Sequence, residues 1–169
     1  MPVRRSIAAL SLLALAACSK PEPSPAQQEA RDTADIAAVE AVQNIPPTPE
    51  EPGPILYPDI DKYKLFGAAC AFVPSGGGIA PIVLAQEKSA YMKLDGQIVR
   101  FAPDPGSPKL PVGAHGKYDA KAWSITLDIA EGEGRDTTTD AVDFNAHFTL
   151  RNDHDQAVYD ANGTARCGA

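Results

Sequence analysis

The spacing of apolar residues changes character twice along the chain. Positions 6–17 form an apolar run rich in Ala and Leu, and positions 19–58 scatter apolar residues among prolines and acids. Beyond that the period becomes two. Trp123, Ile125, Leu127 and Ile129 alternate with Ala122, Ser124, Thr126 and Asp128. Val142, Phe144, Ala146, Phe148 and Leu150 alternate with Asp143, Asn145, His147, Thr149 and Arg151. Such alternation marks strands with one buried face.

A hairpin is written most clearly at 91–100, around Asp95-Gly96. That dipeptide suits a two-residue type I′ turn, where both central residues take positive φ. The register sets Leu94 opposite Gln97 and Met92 opposite Val99, with Ala90, Met92, Leu94, Val99 and Phe101 on one face. Further strands are expected at 64–73, 82–86, 114–118, 156–161 and 164–167, the last two joined by a turn at Asn162-Gly163. Pro103, Pro105, Pro108 and Pro111 interrupt the middle, and 132–140 reads as a polar loop. Helical spacing is not sustained anywhere in this region. The pattern predicts a mainly β domain over 59–169, a small antiparallel barrel or sandwich of about seven or eight strands.

The preceding segment, 18–58, holds nine of the chain's 16 prolines. Proline fixes φ and removes a backbone donor, so a disordered, extended spacer is expected. Its middle, 29–43, has no Pro or Gly and spaces Ala34, Ala37, Ala38, Ala41 and Val42 along a weak helical face, with Asp32 or Thr33 as a cap. An isolated helix this short is marginal in water.

The apolar run at 6–17 follows Arg4 and Arg5. It is shorter than the roughly 20 residues that cross a bilayer and has the length of a signal-peptide core. It ends in Leu15-Ala16-Ala17-Cys18, which resembles the lipobox of bacterial lipoproteins. The resemblance implies removal of 1–17, a lipid on the Cys18 thiol, and acylation of the new N-terminus. The alternative is an ordinary secretory peptide with Cys18 incidental. Several acyl chains, at about 0.8 kcal/mol per buried CH₂, hold a protein on a membrane firmly. Ser19 after the anchor implies, by resemblance to Gram-negative sorting signals, the outer membrane facing the periplasm.

Cys70 and Cys167 are the remaining cysteines. In an exported protein such a pair reads as a disulfide, here joining the first strand to the last. A catalytic Cys with a His partner is the sharper and weaker reading.

The net charge of −7 argues against nucleic acid as a partner, because phosphate binding needs clustered Lys and Arg. Residues 19–58 carry two basic and seven acidic side chains, so much of the acidity lies outside the β domain. Motifs for Ser hydrolases, zinc proteases and dithiol chemistry are absent. Ser75-Gly76-Gly77-Gly78 lacks the Lys of a phosphate loop and reads first as a turn. His147 and Asp153-His154-Asp155 read as solvated surface, since zinc needs three or four convergent ligands. Glu131, Glu133, Asp136 and Asp140 lack the spacing of a calcium loop. No metal or cofactor is expected.

One loop is unusual: Gly113-Ala114-His115-Gly116-Lys117-Tyr118, followed by Trp123. Together with the end-to-end cysteine pair it resembles, over a short stretch, the membrane-bound C-type lysozyme inhibitors. That resemblance implies a small barrel whose loop enters the lysozyme cleft, although His115 stands where the family has serine. His115, Gly116, Lys117 and Tyr118 are thus the candidate partner-binding loop. An acidic inhibitor also suits basic lysozymes. The leading expectation is a lipid-anchored envelope lipoprotein with a non-enzymatic β domain that binds a partner or ligand. A periplasmic lysozyme inhibitor is the alternative, and an envelope enzyme the third class.

Overall fold

The computed structural model describes residues 23–43, 46–132, 134–138 and 140–169. Cys18 and the segment read as a signal peptide lie outside the described residues. The chain divides into two compact units, with the boundary at Ile45/Pro46.

The first unit contains helix α1, Pro25–Gln43. It begins earlier than the apolar spacing indicated, and its cap is Ser24 instead of Asp32 or Thr33. The Gln27 N–H donates to Ser24 Oγ at 3.3 Å, and the Ser24 N–H donates to Gln27 Oε1 at 3.0 Å. This reciprocal box satisfies two donors, and Pro25 has no N–H to lose at the first helical position. Thr33 sits inside the helix, its hydroxyl donating to the Glu29 carbonyl at 2.8 Å.

The second unit is a closed antiparallel barrel. Its strands are β1 (Ala69–Pro74), β2 (Val83–Ala85), β3 (Ala90–Leu94), β4 (Gln97–Pro103), β5 (Lys117–Asp119), β6 (Trp123–Ile129), β7 (Arg135–Thr138), β8 (Ala141–Asn152) and β9 (Ala157–Gly168). Each pairs with its neighbour from β1 to β6, β6 pairs with β8, β8 with β9, and β9 returns to β1. Strand β7 is extra. It lies along the end of β8 that β6 does not reach, so β6 and β7 share one side of β8. Of the barrel and the sandwich that the alternation allowed, the barrel is what forms.

Alternation sets the interior. Phe72, Met92, Phe101, Tyr118, Ile125, Leu127, Phe148 and Leu150 are fully buried in one cluster, and the Phe72 and Phe148 rings stack at 5.3 Å. Eight strands enclose a space that side chains can just fill, and these fill it. Cys70 and Cys167 face one another across the β1–β9 seam and form a disulfide. The Asp95-Gly96 turn has positive φ at both residues, and the pairs Leu94↔Gln97 and Met92↔Val99 form as read from the sequence.

Four expectations are corrected. The spacer does not extend to 58. The Glu50 N–H donates to the Val158 carbonyl, Gly53 to Lys93 and Ile55 to Pro81, so 50–55 is strapped onto the barrel. Next, Tyr57–Tyr63 is a helix, α2, started by Pro58 and by the Leu56 N–H donating to Asp59 Oδ2. Both Asp59 oxygens also accept from Lys93 Nζ, at 3.0 and 2.9 Å, and this ammonium holds the carboxyl below its ordinary range. Ile55 and Leu65 are thereby buried on the outside of the barrel against Leu84, with Ile60, Ala71, Tyr91 and Ile98 packed around them. Residues 64–68 consequently form the turn leaving α2, with Lys64 and Gly67 at positive φ, and the first strand starts only at Ala69.

Finally, Asn162-Gly163 is no turn. Strand β9 runs straight through it. A Cβ on Gly163 would fall on the Val73 carbonyl oxygen and within 2.9 Å of the Phe72 ring. Glycine is there to admit the aromatic ring.

Candidate functional site

The loop around His115 packs beside the disulfide, with the Pro111 carbonyl 3.6 Å from Cys70 Sγ. Val112 adopts a left-handed conformation, and the Ala114 N–H donates to the Pro111 carbonyl. The Gly116 N–H reaches Pro108, and its carbonyl accepts from Leu127. These bonds consume the backbone expected to form a strand at 114–116, leaving only Lys117–Asp119 as β5.

His115 is buried at 5 % exposure and Tyr118 at 1 %. Imidazole Nδ1 lies 3.1 Å from the Asp104 carbonyl, which can only accept, so Nδ1 donates. Nε2 then accepts from the Lys109 ammonium at 2.7 Å. The His115 N–H donates to Tyr118 Oη, and that hydroxyl donates to the Gln86 carbonyl, both at 2.7 Å. Burial pushes the Tyr118 hydroxyl up, although the bond from His115 opposes this. Every polar atom of the two side chains is engaged inside the protein. The loop expected to meet a partner therefore keeps only Lys117 partly in solvent, its ammonium 3.8 Å from Asp104 and 3.7 Å from Asp119.

His147 lies on the outer face, as alternation required. Its partner is Asp160 of β9, at 3.0 Å from Nε2. Thr149 donates to the other oxygen of the same carboxylate, at 3.0 Å. Burial raises the Asp160 carboxyl, but the two hydrogen bonds outweigh it and the net direction is down. The hydroxyl points at the acid and not at the imidazole, so the trio is no nucleophile–base relay. His154 pairs with Asp153 on the exposed β8–β9 turn. Among the described residues, no group of three or more His, Cys, Asp or Glu is placed to hold a metal.

The outer face of β1, β8 and β9 offers more. Arg166 grips Asp143 in a bidentate pair, Nε to Oδ1 at 2.7 Å and Nη2 to Oδ2 at 2.9 Å. The guanidinium holds the Asp143 carboxyl below its ordinary range against the effect of burial. Arg135 stands opposite Asp143 on β7. Two arginines thus flank one carboxylate, leaving a local excess of positive charge on an acidic chain. Arg166 remains 58 % exposed and borders two clefts, of about 320 and 440 Å³, that meet at Ala71. A third cleft, about 300 Å³, is lined by 130–132, Gly134 and Arg135 on one side and Asp143, Phe144 and Asn145 on the other.

Sequence reasoning placed Asp143 outward but missed Arg166. Their meeting depends on the register of β8 against β9, which no local pattern encodes. A charged residue at Arg166, two positions from Thr164 on the solvent face of a strand, was the available signal. No family model, curated protein or solved structure matches the chain.

Proposed function

We propose that this chain is a lipoprotein of the bacterial cell envelope, anchored through Cys18 to the outer membrane, whose barrel binds a ligand or partner on its outer surface without catalysing a reaction. The anchor rests on Arg4-Arg5, the apolar run and Leu15-Ala16-Ala17-Cys18. The binding role is carried by one observation: the barrel interior is packed with side chains, while the clefts beside Arg166 are open to solvent. Small-molecule sites are concave and largely apolar with a few placed polar groups, and those clefts have that character. Lysozyme belongs among the partners to be tried, but the buried His115 and Tyr118 leave the inhibitory-loop resemblance little to present.

The test is metabolic labelling with a palmitate analogue in a Gram-negative host, followed by membrane fractionation. The full-length chain should carry label and sediment with outer membranes, and Cys18→Ser should lose the label and become soluble. Label retained by Cys18→Ser would refute the anchor.

A further inference from the structure

The Ser75-Gly76-Gly77-Gly78 stretch reads from the sequence as a flexible turn, with a ligand role as the lesser reading. In the structure it carries Ile79, which is 98 % exposed. So complete an exposure of a large aliphatic side chain is costly in water. Gly76 and Gly78 both hold positive φ, with open space around each. Ile79 follows this glycine turn and stands at the rim of the 440 Å³ cleft. The floor of that cleft is Ala71 and Val73 of β1, and Pro81 lines it.

Polar groups gather on the β9 side. Thr164 and Arg166 are alternate residues of β9 and both line the cleft. Asp143 takes two of the five guanidinium donors of Arg166. The other three have no partner among the described residues. The paired carboxylate fixes the plane of the guanidinium, and its free edge stays accessible.

We propose that this cleft binds a free single-chain amphiphile with an anionic head: a medium- or long-chain fatty acid. Its carboxylate accepts from Arg166 and Thr164, and its hydrocarbon lies over Ala71 and Val73 beneath Ile79. The proposal deepens the reading of the barrel as a surface binder and is independent of the Cys18 anchor. Hydrogen-bond chemistry selects the occupant: the free guanidinium edge of Arg166 offers donors to an anionic head, whereas a cationic head would find only the Asp143 carboxylate, already held by that guanidinium. The smaller cleft across Arg166, lined by Leu65, Phe66 and Leu84, offers a continuation for a longer chain.

The experiment is titration calorimetry on the full-length chain carrying Cys18→Ser, with monomeric dodecanoate as the probe. Dodecyltrimethylammonium and vesicles of phosphatidylglycerol serve as comparison probes. Saturable one-to-one binding of dodecanoate is expected, with little heat from the cation. Arg166→Gln should weaken it roughly tenfold or more by removing a charge-assisted hydrogen bond, and Ile79→Asp by a similar factor, because it sets a carboxylate against the anionic ligand in place of an apolar cover. Ile79 is wholly exposed, so its substitution leaves the fold intact, and circular dichroism checks both variants. Absence of saturable binding would overturn the proposal. Equal binding of the cation, or dodecanoate binding that survives both substitutions, would do the same. Binding to vesicles without binding to dodecanoate would replace the cleft with a membrane-contact surface. None of these outcomes touches the labelling test of Cys18.

Discussion

Replacing Gly163 by alanine adds one methyl group to the inside of the barrel seam. Ordinarily such a change stabilises by about 0.4–1 kcal/mol, because the unfolded chain loses freedom. Here the new Cβ would land on the Val73 carbonyl oxygen and lie 2.8 Å from the Phe72 ring. Val73 cannot retreat, because it is paired with Thr164 in the β1–β9 ladder. Phe72 is fully buried and stacked on Phe148, so its ring cannot swing aside without disturbing a second aromatic. Forcing a methyl into a packed core costs about 1–3 kcal/mol, and the loss of ring stacking adds about 0.5–1.5 kcal/mol. The strain wins over the entropy, giving a net destabilisation of about 0.5–4 kcal/mol. Gly53→Ala is the control, because its Cβ would meet Lys93 only at an ordinary 3.5 Å. Urea unfolding followed by Trp123 fluorescence reads both. A Gly163→Ala protein as stable as the wild type would show that the seam is looser than described and refute the reasoning.

Other expectations concern the same barrel. Cys70→Ala with Cys167→Ala opens a link spanning 97 residues, and loop-closure entropy puts the loss at about 4–5 kcal/mol as an upper value; a urea midpoint within error of the wild type would contradict it. Phe148→Ala should cost about 3–5 kcal/mol, read in the same assay, and a loss below that of a surface substitution would count against the packed interior. The Asp143 carboxyl is lowered in the folded state by Arg166, so its contribution is present above the unfolded value of about 3.9 and fades as pH falls through the lower folded value. Wild type should therefore lose more stability than Asp143→Asn between about pH 4 and pH 2, and parallel pH profiles would dismiss the pair as a stabilising element.

The parts of the fold legible in the sequence were those written in local alternation. The Asp95-Gly96 hairpin carries its register in four residues, and the inward set on β6 and β8 follows from a strict period of two. What stayed hidden depends on residues far apart in the chain. Asn162-Gly163 has the composition of a turn, and only the Phe72 ring, brought in by β1, explains why β9 continues through it. Helix α2 and the strap at 50–55 look like the end of a Pro-rich spacer until Leu84, Tyr91 and Ile98 present an apolar patch on the barrel's outer wall. The His115 loop is unusual in sequence, yet its His115 and Tyr118 are buried and hydrogen-bonded within the protein, a structural demand that resembles a functional signature. Arg166 needed the β8–β9 register before it could be paired with Asp143 and set beside a cleft.

The seam between β1 and β9 has a bearing on how the molecule is made. Its two strands enter the compartment of folding at opposite ends of synthesis, so β1 waits with an unsatisfied edge until β9 arrives. Until then the sheet has two exposed borders, the form most open to association between chains. Joining Cys70 to Cys167 then records that the last strand has been delivered and docked in register. A chain that stops short of Cys167 would keep both borders and a free thiol on Cys70. It would be recognisable as unfinished to any machinery that reads reduced cysteines.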